Sequence, residues 1–559
     1  MTESVLDIAR EWADHDPDPV TKDEVLRLID ANDTDELARS FAGPLSFGTA
    51  GLRAEVGAGE SRLNRAVIMR TTHGLVSWLQ SKLSDAGYAD AQPVVVIGCD
   101  ARHGSEQFQK DAAQVVAAAG GRALVLPAKN PTPLTAYSVK ALHADAGIMV
   151  TASHNPPADN GYKVYLGGRV AQGAGEGVQL VAPADSEIAA AIAAAPRADE
   201  IPLSDTGIQA IDTRDEYLAR ATKLVGENTD VTIALTAMHG VGAALGQQLL
   251  SNAGFTVSLV PEQAEPDPDF PTVAFPNPEE LGALDLAKRH ATSINADVII
   301  AYDPDADRCA VATPDSDADG GWRQLTGDEL GALLGNYIAT QRAQDGHTGG
   351  AFANSIVSGR LLAAVAKHHG FAHEATLTGF KWIARTPDLV FGYEEAIGYC
   401  PDPEAVADKD GIATSLVAAS LVGVLKAEGR TLDDALDDLA RTHGLFRTAP
   451  LTFRVDDVAK IAQGMDTLRK NPPTVLAGSD VVTVHDLADD PFGIGPTDGM
   501  YFLTDANDRI ICRPSGTEPK LKCYLEVVLP VVAGKEIPKA KADSRLAQLR
   551  ADLTECLGF

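Results

Sequence analysis

Short β-branched runs separated by Ala/Leu-rich stretches set the strongest limit on how this chain folds. PVVVIGCD (Pro93–Asp100) precedes SEQFQKDAAQVVAAAG, and DVTIALTAMHG (Asp230–Gly240) precedes VGAALGQQLLSNAG. NADVIIAYDPDADR (Asn295–Arg308) and GGAFANSIVSG (Gly349–Gly359) follow stretches of helical character. Near-continuous apolar runs fit strands buried on both faces. Strands alternating with helices give parallel sheets under helical cover. A weak echo agrees with repeated units: Arg102-His103-Gly104-Ser105 follows the first of these strands, and Met238-His239-Gly240-Val241-Gly242 follows the second.

A chain of 559 residues exceeds one hydrophobic core. The linker-like stretch Ala193–Asp212 closes the first unit, and acidic TPDSDADGGW (Thr313–Trp322) lies near the second boundary. After about Thr442 the strands YFLTD, RIICR and KCYLEVVL describe a smaller antiparallel α+β domain. The expected domains are residues 1–205, 206–320, 321–444 and 445–559. With 78 acidic against 47 basic residues the net charge is −31. Such a surface repels nucleic acid and anionic lipid, so neither is an expected partner. An anionic substrate would need local clusters of Arg and Lys. The longest uncharged stretch, Gly411–Leu425, has fifteen residues. That falls short of the roughly 20 that span a bilayer, and it reads as a buried helix. The N-terminus is acidic without an apolar core, unlike a signal peptide. Six cysteines without a CxxC pair fit reduced thiols in a cytoplasmic protein.

Four stretches carry candidate chemistry. In TASHNPPADNGYK, Ser153 follows the strand AGIMV, at the strand end where α/β sheets bind ligands. Asn155-Pro156-Pro157 stiffens the turn; a turn serine bonded to its own backbone is the plain alternative. In AYDPDADR, Asp303, Asp305 and Asp307, if close, repel one another unless a cation lies between them, and oxygen ligands suit Mg²⁺ or Ca²⁺; a solvated acidic turn is the plain alternative. Arg308 and Pro314 stand where an EF-hand needs glycine and glutamate, so that loop type is excluded. DSDADGG (Asp315–Gly321) lacks the closing glutamate and reads as an exposed hairpin turn. In CRPSGTEPKLK, Arg513 with Ser515, Gly516 and Thr517 reads as a phosphate loop, favoured by its basic cluster over a plain Pro-Ser-Gly turn. In GYEEAIGY, Glu394 and Glu395 offer acceptors to sugar hydroxyls, or a solvated helix start. Arg53, Lys163 and Lys381 stand beside glycine turns or aromatic residues, contexts that suit a cleft. No P-loop is present. A serine beside Mg²⁺ is suited to carrying a phosphoryl group.

TASHNP, DPDADR, GYEEAIG and RPSGTEPK, in this order, resemble the catalytic, metal, sugar and phosphate loops of the α-D-phosphohexomutase superfamily. FGTAGLR, GFKWI and GYEEAIGY…DKDG are similar to its phosphopentomutase-type phosphoglucomutase branch. The resemblance implies three similar α/β domains with mixed, mostly parallel sheets plus a smaller C-terminal α+β domain, around a central cleft. It implies that Ser153 is phosphorylated and that Asp303, Asp305 and Asp307 hold Mg²⁺ with a phosphoserine oxygen. Arg53, His154, Lys163 and Arg308 would surround the transferring phosphoryl, with Lys163 a proton-transfer residue. Thr378, Gly379 and Lys381 would form a substrate loop, Glu394 would bind sugar hydroxyls, and Arg513, Ser515, Gly516 and Thr517 a distal phosphate. The implied activity is a phosphosugar mutase acting through a sugar 1,6-bisphosphate that is both activator and intermediate, most simply of phosphoglucomutase/phosphomannomutase type. The alternatives are a phosphopentomutase, a sugar-1,6-bisphosphate synthase, or a non-catalytic phosphosugar-binding protein. Many members carry serine two residues after the sugar-binding glutamate; here that residue is Ala396.

Overall fold

The computed structural model describes residues 4–45, 51–226, 230–455, 459–515 and 520–558. They divide into two compact units, Met1–Gln324 with Gly398–Gly423, and Leu325–Ile397 with Val424–Phe559.

The first unit begins with helices Val5–Asp14, Pro19–Asp30 and Thr34–Ser40. Ser4, Asp18 and Asp33 cap them by accepting hydrogen bonds from first-turn N–H groups. Ala9, Ala13, Val25, Ile29 and Leu37 close on Ala58 as a small core of their own. The first sheet holds β1 (Leu52–Glu55), β2 (Val94–Cys99), β3 (Arg122–Val125), β4 (Ala146–Val150), β5 (Asp159–Leu166), β6 (Val178–Gln179) and β7 (Ile208–Ala210). Its order is β1-β5-β4-β2-β3-β7, with β6 on β5. The middle of the sheet is parallel, while β5 and β1 run antiparallel to their neighbours. Val95, Val96, Ile97, Ile148 and Val150 are fully buried, as continuous apolar strands require. The stretch expected to be a linker contains β7, so the first sheet runs past the expected boundary at 205. An edge strand with one buried neighbour needs little apolar character, and β7 is mostly exposed.

The second sheet holds β8 (Thr232–Thr236), β9 (Thr256–Leu259), β10 (Val298–Tyr302), β11 (Cys309–Pro314) and β12 (Trp322–Gln324), in the order β12-β11-β10-β8-β9. β9, β8 and β10 are parallel, and β11 and β12 fold back antiparallel. The acidic stretch after β11 is the hairpin turn the sequence indicates.

In the second unit, β13 (Ala351–Ser355), β14 (Ala372–Thr376) and β15 (Leu389–Glu394) are parallel, with β13 in the middle. The chain then returns to the first unit as β16 (Gly398–Cys400) and most of the helix Gly411–Ala427, up to Gly423. Back in the second unit, β17 (Leu445–Arg454), β18 (Val475–Leu476), β19 (Ser479–Asp486), β20 (Met500–Thr504), β21 (Arg509–Pro514) and β22 (Lys520–Leu529) form an antiparallel sheet. Its order is β17-β22-β21-β20-β19-β18. The helix Lys539–Leu557 shares one core with it through Leu546, Leu549 and Leu553. This is the expected class: α/β sheets followed by a C-terminal α+β part. Among the described residues, no single helix is long and apolar enough to cross a membrane.

The returning segment is fixed by buried polar groups. Asp408 accepts from Tyr165 Oη and Gln179 Nε2, each at 2.7 Å. Asp410 accepts from Tyr217 Oη at 2.8 Å and from the Ala413 N–H at 2.8 Å. A Cβ at Gly411 would lie 2.4 Å from the Arg308 carbonyl oxygen, so only glycine lets the two backbones approach. Burial pushes the Asp410 carboxyl up to about 7. A folded-state value above the unfolded one contributes stability at low pH that is lost as pH rises towards 7. Asp410→Asn is therefore expected to flatten the fall in stability between about pH 4.5 and 7.5, by at most about 1.4 kcal/mol per pH unit. Denaturant titrations across that range measure it, and parallel slopes for the two proteins would refute it.

Candidate active site

The loop after β4 carries the serine. Ser153 is 1 % exposed and has φ +51°, the left-handed region that non-glycine residues enter only when their surroundings hold them there. Its N–H donates to Thr151 Oγ1 at 2.9 Å. Its Oγ donates to Asp303 Oδ2 at 2.7 Å and lies 3.2 Å from His154 Nδ1. Arg53 reaches in from β1, where it faces Gly161 of β5, and Nη1 donates to Asn155 Oδ1 at 3.2 Å. Lys163 stands on β5 opposite Met149 of β4. The echo loop after β2 contributes Arg102, a residue to which the sequence alone assigns no role. Its guanidinium donates to the carbonyls of Ser153 and Asn155 at 2.7 and 2.6 Å, and of Pro156 and Asp159 at 2.7 and 2.9 Å.

The second loop follows β10. Asp303, Asp305 and Asp307 are buried, and one oxygen from each lies within 4.8 Å of the others. The other echo loop seats this one: the Val241 N–H donates to the Pro304 carbonyl at 2.8 Å, and a Cβ at Gly240 would meet Pro304 at 2.4 Å. Thr132 Oγ1 donates to Asp305 Oδ2 at 2.7 Å, and the Arg308 N–H donates to Asp303 Oδ1 at 3.0 Å. Lys163 Nζ reaches Asp305 Oδ2 at 2.8 Å and Asp307 Oδ2 at 3.0 Å. Lys409 of the returning segment lies 3.1 Å from Asp307 Oδ2. Its motif, DKDG, is visible in the sequence, but nothing local shows that the lysine points here. The Arg308 side chain is mostly buried, 3.9 Å from both Asp307 and Glu279.

The electrostatics follow from burial and charge. Burial and repulsion from Asp305 and Asp307 hold the Asp303 carboxyl well above its ordinary range. Burial also opposes ionisation of Asp305, but Lys163 outweighs it and the carboxyl titrates low. Asp307 is held low against burial and Asp305 by Lys163, Lys409 and Arg308. Burial would lower Lys163, yet the two carboxylates raise it, so it stays an ammonium. Burial, then Arg308 and Arg53, push His154 far down, leaving a neutral imidazole. Among the described residues, Asp305 Oδ1 and Asp307 Oδ1 are buried without a hydrogen-bond partner. Oxygen donors that include two such orphans fit a hard divalent cation such as Mg²⁺.

The second unit holds the remaining predicted residues. Gly379, at φ +112°, opens the short helix Phe380–Ile383, and its N–H donates to Glu394 Oε1 at 2.8 Å. Arg513 Nη1 donates to Thr378 Oγ1, joining the substrate loop to the end of β21. Lys381 is largely buried, with Nζ 5.6 Å from the Trp382 ring centre. The paired glutamates separate: Glu395 accepts from Ser355 and Ser358 at 3.1 and 2.8 Å. The Ser515 N–H bonds the Lys520 carbonyl at 2.8 Å; Gly516 and Thr517 lie outside the described residues.

Three family models match in order: phosphoglucomutase/phosphomannomutase alpha/beta/alpha domain I over residues 44–196, domain II over 215–318 and domain III over 326–443. A "Probable phosphomannomutase" of Haemophilus influenzae is 44% identical over 469 residues, 83% of this chain and 93% of that one. The phosphopentomutase of Mus musculus is 34% identical over 576 residues, 93% and 90% of the two chains. The structure of the Paramecium phosphoglucomutase parafusin shares the fold at TM-score 0.70 and 19% identity, over 93% of this chain and 96% of that one.

Mg²⁺ at 100 times its dissociation constant is expected to stabilise the wild type by about 2.7 kcal/mol, and Asp305→Asn far less. Melting curves with and without Mg²⁺ measure this, and an equal rise in both proteins would exclude the triad as the site.

Proposed function

The chain belongs to the phosphoglucomutase/phosphomannomutase family of the α-D-phosphohexomutase superfamily and is a phosphosugar mutase, an isomerase; from this premise we propose that Ser153 carries the phosphoryl group. The observation that supports this most is Ser153 Oγ, 2.7 Å from Asp303 within a buried triad that has oxygens to spare. Mg²⁺ held by Asp303, Asp305, Asp307 and an oxygen on Ser153 would neutralise charge on the transferring phosphoryl. Arg53 and Arg308 supply fixed positive charge beside Ser153, and positioning with charge neutralisation carries most of a phosphoryl transfer. Lys163 is the proton-transfer group: it is an ammonium bonded to Asp305 and Asp307, in the same triad that Ser153 touches through Asp303, and it would give a proton to the departing serine oxygen. Glu394 accepts from sugar hydroxyls, while Thr378, Gly379, Lys381, Arg513, Ser515, Gly516 and Thr517 bind the sugar phosphate and its distal phosphate group. Phosphorylated Ser153 gives its group to a sugar 1-phosphate, the bisphosphate reorients, and its other phosphate returns to Ser153.

Glucose and mannose phosphates are the substrates put forward first. A pentose phosphate is the second reading, favoured by Ala396, which removes one possible hydroxyl contact to the sugar two residues after Glu394 and so weakens the case for a strict hexose preference. The protein works in the cytoplasm, whose reducing poise suits its free, mostly buried cysteines.

The test is conversion of glucose 1-phosphate to glucose 6-phosphate with Mg²⁺ and trace glucose 1,6-bisphosphate, beside mannose, ribose and deoxyribose 1-phosphates. Ser153→Ala is expected to lower kcat by roughly a thousandfold or more on the preferred sugar. A mutant of near-wild-type activity would remove Ser153 as carrier. A wild type faster on ribose 1-phosphate would place the second reading first.

A further inference from the structure

We propose that Arg102 is a positioning residue for phosphoryl transfer, which holds the Ser153–Asp159 loop so that Ser153 Oγ stays on the triad; this rests on Ser153 being the carrier. The guanidinium has four Nη hydrogens, and the geometry gives each a backbone carbonyl of this one loop. Nη2 takes Ser153 O and Asn155 O, and Nη1 takes Pro156 O and Asp159 O. Proline at 156 and 157 leaves the turn few N–H groups of its own with which to tie these carbonyls. The loop's own Asp159 N–H reaches the Pro156 carbonyl at 3.1 Å, and charge-assisted bonds from a rigid fork add to it and tie the others.

The fork is itself held. Arg102 is buried, its Nε lies 3.5 Å from Asp100 Oδ2, and its guanidinium carbon lies 5.1 Å from the centre of the Phe270 ring. The Arg102 N–H bonds Asp100 Oδ1 at 2.9 Å, so the short turn after β2 fixes the side chain at its root. Ser153 is thereby gripped at both ends of its left-handed backbone, by Thr151 Oγ1 at its N–H and by Arg102 at its carbonyl. A buried arginine used only to stabilise the fold could bind any carbonyls. This one directs all four bonds to the residues that aim the nucleophile. Lysine keeps the charge but has neither the plane nor enough donors.

The experiment compares Arg102→Lys, Arg102→Met and Ser153→Ala with wild type in the full chain. It reads the melting midpoint, kcat and KM on the sugar phosphate that wild type turns over fastest, and single-turnover transfer of labelled phosphoryl from glucose 1,6-bisphosphate to the protein. Arg102→Lys is expected to stay folded while kcat and labelled transfer fall about 100-fold, as a small misplacement of the reacting atom predicts. Its KM is expected to shift by less than about threefold. A folded Arg102→Lys within about twofold of wild type in kcat and transfer overturns the proposal, as does a change confined to KM. Arg102→Met, where it folds, is expected to fall at least as far, and where it does not fold Arg102→Lys decides. An active Ser153→Ala would overturn the carrier reading instead. An inactive Ser153→Ala with an unimpaired Arg102→Lys would overturn the positioning role alone.

Discussion

Three carboxylates within 4.8 Å of one another inside a protein require positive charge, and the first unit supplies it from two directions. Lys163 comes from a strand of the first sheet and bonds both Asp305 and Asp307, while Lys409 comes from the returning segment to Asp307. Removing one member of such a buried set leaves an uncompensated charge, at a cost of about 3–5 kcal/mol. The charge balance therefore fixes the placement of β5, the loop after β10 and the DKDG segment together. It also divides the labour among the aspartates. Asp305 and Asp307 are held ionised by lysines, while Asp303, under burial and the repulsion of the other two, is the one pushed towards neutrality and the one that Ser153 touches.

The two loops proposed to carry the chemistry are supported in the same manner. Each follows a strand in the parallel part of a mixed sheet, and each leans on a neighbouring loop that follows the adjacent parallel strand: Arg102 under the serine loop, Gly240 and Val241 under the aspartate loop. This is why the sequence repeats a short turn after both β2 and β8. The support leaves Ser153 and Ala306 in left-handed backbone, conformations that a lone loop would relax out of.

The sheets and both loops were legible because the signals are local. A continuous apolar run names a buried strand, and the loop beyond its C-terminal edge is where a ligand site forms. Three aspartates at alternate positions directly after a buried apolar strand are crowded carboxylates that call for positive charge, which marks the loop as a candidate metal site. The missing parts are long-range. Arg102, Thr132 and Lys409 look like any other turn or helix residues until the fold brings them to Ser153, Asp305 and Asp307. Glu394 and Glu395 are indistinguishable in sequence, since only backbone direction sends one to Gly379 and the other to Ser355 and Ser358. The edge strand β7 is hidden for the opposite reason: too little of it is buried to leave an apolar mark.

The returning segment has a consequence for how the protein is made. The serine, the aspartates and Lys163 are all synthesised by residue 307, but Lys409, Asp408 and Asp410 leave the ribosome about a hundred residues later. At roughly 5–20 residues per second, the first unit spends on the order of ten seconds with its acidic pocket short of one counter-charge and its Tyr165 and Tyr217 hydroxyls without their acceptors. The second unit's first sheet is synthesised during that interval. Part of the second unit thus emerges before the first is finished, and the buried cluster of aspartates and lysines is completed only after the ribosome has begun the other unit and come back.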